Sequence, residues 1–183
     1  NRVETLDSLV RRVDEDRWLA SRFASDSVRA RLTALYAVNY EIARTSEVVR
    51  TAPLGDVRLA WWREALEEIH AGEAARSHPA LEAYAAEHTR VQFLLEPWRA
   101  MLEARAEDFE PTPFANLEAM LRYIDATAGG VMQLAIAAID SAAPARTLMF
   151  VQPAARAWGL TGLLRAAPVW AAQAKPLPSQ KQM

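Results

Sequence analysis

The chain has 183 residues, 51% of them hydrophobic, with only 6 glycines, which excludes a disordered or collagen-like polymer and is enough for one domain with a real core. A net charge of −2 supplies no field that would gather nucleic acid or an anionic surface. With no cysteine, disulfides, thiolate catalysis and cysteine metal sites are all excluded in this sequence.

The first residues, NRVETLDSLVRRVDEDRW, are too charged for the apolar core of a signal peptide. Leu6, Leu9, Val10 and Val13 recur at helical spacing and predict a short opening helix. DEDRWLASRF follows, with Trp18, Leu19 and Phe23 as apolar anchors, and Ser25 or Asp26 can cap the next helix. Along it Val28, Leu32, Leu35, Ile42 and Val49 form one stripe, with Tyr36, Tyr40, Ala43 and Glu47 beside it. Pro53-Leu54-Gly55 reads as the end of that helix and Asp56 as the cap of another. In the latter Leu59, Trp62, Leu66 and Ile69 form the buried face, widened by Trp61 and Ala65, while Arg63 and Glu67 can pair across a turn.

His70-Ala71-Gly72 closes this helix and Ser77-His78-Pro79 opens the next. Pro97 suits a first turn, after which Trp98, Met101, Leu102 and Arg105 or Phe109 line one side. Pro111-Thr112-Pro113 is a boundary. From Asn116, the residues Leu117, Met120, Leu121, Ile124, Ala128, Val131, Ala135 and Ile139 keep helical period for more than six turns, with Gly129 and Gly130 in their midst. Its apolar run from Val131 to Ile139 is too short to cross a bilayer. Pro153 starts a last helix, and KPLPSQKQM reads as loop or tail. No stretch alternates with period two, so the expectation is all-α, with six to eight helices in a single domain, 1–183, soluble or peripherally attached to a membrane.

Single residues point to little chemistry. His70, His78 and His88 lack metal-ligand spacing and read as surface histidines. There is no dinucleotide fingerprint, P-loop or nucleophile elbow. The Trp61-Trp62 pair reads as core or as a ligand platform, and Arg165 as an anion binder or an arginine reaching out along its stem. Polar Asn39, Tyr40 and Glu47 on an inward-facing stripe are the strongest local signal, because buried polar groups cost free energy unless paired or used.

Taken in order, several segments resemble the squalene/phytoene synthase family. YAVNYEIARTSEVV stands where the family has its first aspartate motif, EARAEDF places Asp108 at a family aspartate, and RYIDATAGGVMQLA matches a central helix through Tyr123, Ala128, Gly129 and Val131. GLTGLLRA resembles the second aspartate motif through Thr161 and Arg165, and KPLP the stretch after it. The resemblance implies an isoprenoid synthase-type helical bundle around a central apolar cavity, with further helices beyond KPLP, so that the chain reads as truncated at its C-terminus. It also implies head-to-head condensation of two prenyl diphosphates, farnesyl or geranylgeranyl, on Mg²⁺ held by two facing aspartate clusters.

Against that pattern, the first motif's leading aspartates fall on Ala43 and Arg44, leaving Glu47, and the second motif's fall on Ala166 and near Val169-Trp170. NYEIA followed by LGDVRLAWWREALEEI is most similar to the branch of the mitochondrial complex I assembly factor and its bacterial relatives, in which the aspartates are eroded. The expectation is therefore a non-catalytic or atypical member with an assembly or lipid-binding role, in the cytoplasm or an organelle matrix. Its alternative is an active prenyltransferase. No cofactor is expected, and Mg²⁺ only with catalysis. Partners would be a prenyl diphosphate or other isoprenoid lipid, or a membrane respiratory complex, and not nucleic acid. The resemblance implies Tyr36, Asn39, Tyr40, Ala43, Arg44, Glu47, Thr127, Gly130, Thr161 and Arg165 as cavity residues and Glu47 and Asp108 as metal ligands. It suggests Arg58, Trp61, Trp62, Arg63 and Glu64 as a partner face.

Overall fold

A computed structural model describes residues 4–49, 51–110 and 114–172, with backbone alone at 167 and 169–172. The Pro111-Thr112-Pro113 boundary and the KPLPSQKQM tail lie outside the described residues. Among those described there is no strand, and ten α-helices follow one another: α1 (Leu6–Val13), α2 (Glu15–Ser21), α3 (Asp26–Ala43), α4 (Thr45–Val48), α5 (Ala52–His70), α6 (Pro79–Val91), α7 (Glu96–Ala104), α8 (Leu117–Ile139), α9 (Ala145–Leu148) and α10 (Val151–Ala172). A 3₁₀ turn, Arg105–Phe109, continues α7. No described helix is long and apolar enough to cross a membrane.

Helix starts follow local chemistry. The Thr5 side chain accepts from the Ser8 amide, Asp14 from Arg17, and Asn116 from Ala119, each satisfying a donor that the helix cannot. The break expected at Pro53 lies earlier, at Arg44. There α3 gives way to the single turn of α4, the Thr45 hydroxyl donating back to the Glu41 carbonyl at 3.4 Å, and Val49 and Thr51 are extended. Thr45, Val48, Val49 and Thr51 are all β-branched and lose side-chain freedom in a helix, whereas Pro53 fits the first turn of α5. Asp56 is thus inside α5 rather than its cap. Of the expected anchors, Phe23 is 95% and Leu19 49% exposed, so Val10 and half-buried Trp18, and not Leu19 or Phe23, fix the N-terminal helices to the core.

The main core lies among α1, α3, α5, α6, α7 and α8, around fully buried Leu35, Trp62, Leu66, Leu81, Tyr84, Trp98 and Met101. Each such side chain contributes about 1.5–3 kcal/mol by leaving water. The three histidines are not ordinary surface residues. His78 accepts from the Ala80 amide at the start of α6 and packs edge-on against Trp62 at 5.0 Å. His70 and His88 place their rings 4.1 Å apart. Trp98 Nε1 donates to the Tyr84 hydroxyl at 2.9 Å, which lies 3.0 Å from His70 Nε2. Indole N–H can only donate, so the Tyr84 proton is free to bond a neutral His70. Burial and the neighbouring His88 and Arg99 charges pull His70 down to about 4. A smaller cluster, Phe114, Tyr123 and Ile124, joins α8 to α10 and leads to the site.

Candidate functional site

An open cleft of about 390 Å³ lies between α3–α4 on one side and α10 on the other. Its first wall carries Asn39, Ala43, Ser46 and Glu47. Asn39 and Ala43 are one turn apart on α3, next to the buried stripe of Leu35, Val38 and Ile42. The floor is α8, whose Tyr123, Thr127 and Val131 recur every four residues and so share one face. Arg105, Glu107, Asp108 and Glu110 close one end, and Arg17 of α2 reaches in from another. The opposite wall, on α10, consists of Trp158, Gly159, Gly162 and Leu163.

Three of these side chains form a closed bonding unit. Tyr123 donates to Asp108 Oδ1 at 2.6 Å, and Arg105 Nη1 donates to the Tyr123 oxygen at 2.6 Å and to Asp108 Oδ2 at 3.2 Å. Burial pushes the Tyr123 hydroxyl up, keeping it a neutral donor. Burial would lower the Arg105 guanidinium, but Tyr123 and Asp108 outweigh it and hold it above its ordinary value. Burial also raises Glu107, against the opposing pull of Arg122. The Thr127 hydroxyl donates back to the Tyr123 carbonyl at 2.7 Å, so it offers the cleft an acceptor oxygen. Arg17 pairs with Asp14 at 2.6 Å and stacks on Trp158 at 5.0 Å and Tyr36 at 5.8 Å.

Of the residues expected in the cavity, Asn39, Ala43, Glu47 and Thr127 line the cleft, and so does Asp108. Tyr36 is buried behind Arg17. Arg44 stacks on Tyr40 at 5.3 Å and pairs with Glu41, and neither Tyr40 nor Arg44 lines the cleft. Gly130 is a correction: it faces away, toward α7, where an added Cβ would lie 3.2 Å from the Pro97 carbonyl oxygen. Thr161 and Arg165 are exposed on α10, the latter paired with Asp16 at 3.2 Å. On the suggested partner face Trp62 is fully buried, leaving exposed Arg58, Arg63 and Glu64 and half-buried Trp61. Trp61 is covered by Arg76, which also grips Glu64 and Glu68. Arg63 does not find Glu67, which pairs with Arg99 at 2.8 Å. Arg17, Ser46, Arg105 as a lining group, Glu110 and Trp158 were not foreseen; Ser46 and Arg105 lie within the segments YAVNYEIARTSEVV and EARAEDF, whereas Arg17, Glu110 and Trp158 sit apart from any motif in the sequence.

Magnesium needs several oxygen ligands converging on one point. Among the described residues, no three acidic or histidine side chains converge in that way. Asp108 already serves Tyr123 and Arg105, and Glu47 projects from the far wall on α4. These residues do not fit the ion.

The family model described as squalene/phytoene synthase matches residues 10–180. Curated relatives include NADH dehydrogenase (ubiquinone) complex I, assembly factor 6, of Mus musculus, 21% identical over 129 residues, and of Homo sapiens, 22% identical over the same length. The alignment covers 70% of this chain and 38% of each of these proteins, so the chain spans well under half of the relatives it matches. No solved structure matches.

Proposed function

The chain belongs to the squalene/phytoene synthase family, and from that premise we infer that it is a non-catalytic member, a binding and assembly protein of the cytoplasm or an organelle matrix. The observation that carries this reading is the α10 wall of the cleft. The cleft residues that α10 contributes, Trp158, Gly159, Gly162 and Leu163, bring no carboxylate, and among the described residues no three acidic side chains converge. Ionising a prenyl diphosphate in an apolar cleft requires cations on the leaving group.

What the cleft retains suits binding. Ile124, Val131, Trp158 and Leu163 offer apolar surface to an isoprenoid-like chain, while Arg17 and Arg105 offer positive charge at its ends. The partner by analogy is a membrane respiratory complex, since the relatives are named as assembly factors of complex I. Incubating the full-length protein with farnesyl diphosphate, Mg²⁺ and NADPH should release no diphosphate above a blank; release at enzyme-like rates would overturn the reading. Affinity purification of the native protein is expected to recover respiratory-complex subunits.

One observation favours the alternative, head-to-head condensation of farnesyl or geranylgeranyl diphosphate: Glu47, Glu107, Asp108 and Glu110 all border the same cleft. That reading needs a Mg²⁺ site that Glu47 and Asp108 do not form among the described residues. The diphosphate-release assay separates the two readings directly.

A further inference from the structure

The charges around the cleft do not balance. Its border carries two guanidiniums, Arg17 and Arg105, against four carboxylates, Glu47, Glu107, Asp108 and Glu110. Both guanidiniums already have an acidic partner: Asp14 holds Arg17 at 2.6 Å, and Asp108 holds Arg105 at 3.2 Å. Two further arginines do not supply the missing charge, since Arg44 pairs with Glu41 and Arg122 with Glu118. Among the described residues, Glu47, Glu107 and Glu110 are left without an ion pair. Glu107 shows the cost: burial raises its carboxyl above the ordinary value, Arg122 opposes this, and the Asp108 charge adds to it. A divalent metal does not redress the imbalance, because among the described residues no three acidic side chains converge to hold one.

We propose that the cleft selects an apolar chain carrying a positively charged head, a long-chain amine in chemical class, over the same chain carrying a phosphate or diphosphate. This names the ligand class of the binding role inferred above and rests on that role. The apolar wall of Ile124, Val131 and Leu163 takes the chain whatever the head. The head decides the rest. Unmatched carboxylates around a cleft with low-dielectric walls focus a negative potential into it. An anionic head adds to that repulsion, whereas an ammonium supplies the counter-charge that Glu47, Glu107 and Glu110 lack. The side chain that α2 sends into the cleft is itself a cation, Arg17, seated on the rings of Trp158 at 5.0 Å and Tyr36 at 5.8 Å.

The test is equilibrium binding to the full-length protein of three probes with one chain and different heads: farnesylamine, farnesol and farnesyl diphosphate. Binding is read by tryptophan fluorescence at neutral pH, with and without Mg²⁺. Farnesylamine should bind at least about tenfold more tightly than farnesyl diphosphate, with farnesol between them, and added salt should narrow the gap. The triple variant Glu47→Gln, Glu107→Gln, Glu110→Gln should weaken farnesylamine about three- to tenfold and leave farnesol within about twofold. Tighter binding of the diphosphate under either condition, equal affinity for all three heads, or an unchanged farnesylamine affinity in the triple variant would each overturn the charge selection and leave a binding cleft. An equal fall for farnesol in that variant would give the carboxylates a structural role and overturn it as well. Binding of none of the three probes would instead overturn the binding role itself, and the selection with it.

Discussion

The joint of α5, α6 and α7 and the cleft between α3 and α10 are built from the same kinds of residue, aromatic rings and polar groups, to opposite ends. In the joint, Trp98, Tyr84, His70 and His88 pass hydrogen bonds and ring contacts among themselves, and Tyr84 and Trp98 are fully buried. In the cleft, Tyr123 and Arg105 are equally well bonded, but Asn39, Glu47 and Trp158 face open volume. Polar groups alone therefore do not mark a site in this fold. Polar groups bordering a space that the protein's own side chains do not fill do mark one.

Breaking the joint should have the largest effect. Trp98→Ala empties a fully buried indole site and strips Tyr84 of its donor, which should cost about 3–5 kcal/mol in chemical denaturation. Next, Gly159→Ala drives a methyl into Ile124 and is expected to destabilise by about 1–3 kcal/mol, measured the same way. Acid should separate the two regions further. His70 titrates near 6.5 when unfolded and about 4 when folded, so its contribution is complete above pH 6.5 and is lost as pH falls toward 4. For a half-buried ring, with solvent screening discounted, this amounts to about 1–2 kcal/mol. His70→Gln should flatten that part of the stability–pH curve; an unchanged slope would remove His70 from the account. The smallest change, Gly162→Ala, should stabilise by about 0.5–1 kcal/mol in thermal melts, since helix propensity improves and nothing is struck. Opposite signs at two glycines three residues apart would confirm that one is there for packing and the other is not.

Much of the fold was legible in the sequence. The buried face of α5 at Leu59, Trp62, Leu66 and Ile69, the first-turn Pro97 and the start of α8 just after Asn116 all stand as periodicity and turn chemistry dictate. Pro53 misled because the same residue that stops one helix also starts another, and only the extended backbone at Val49 and Thr51 decides between them. The site was half legible. Asn39, Ala43, Glu47, Thr127 and Asp108 were reached through family spacing and line the cleft. Arg17 and Trp158 meet across 141 positions of sequence, and His70 and His88 meet from separate helices. Such pairs have no local signature, since folding alone brings them together.

Gly162 offers one practical opening. The sequence contains no cysteine, and the space beside Gly162 is empty at the edge of the cleft. Gly162→Cys would therefore introduce a single thiol, chemically addressable without competition, at the entrance to the candidate binding volume. A spin label or fluorophore attached there would report on occupancy of the cleft without knowledge of its ligand.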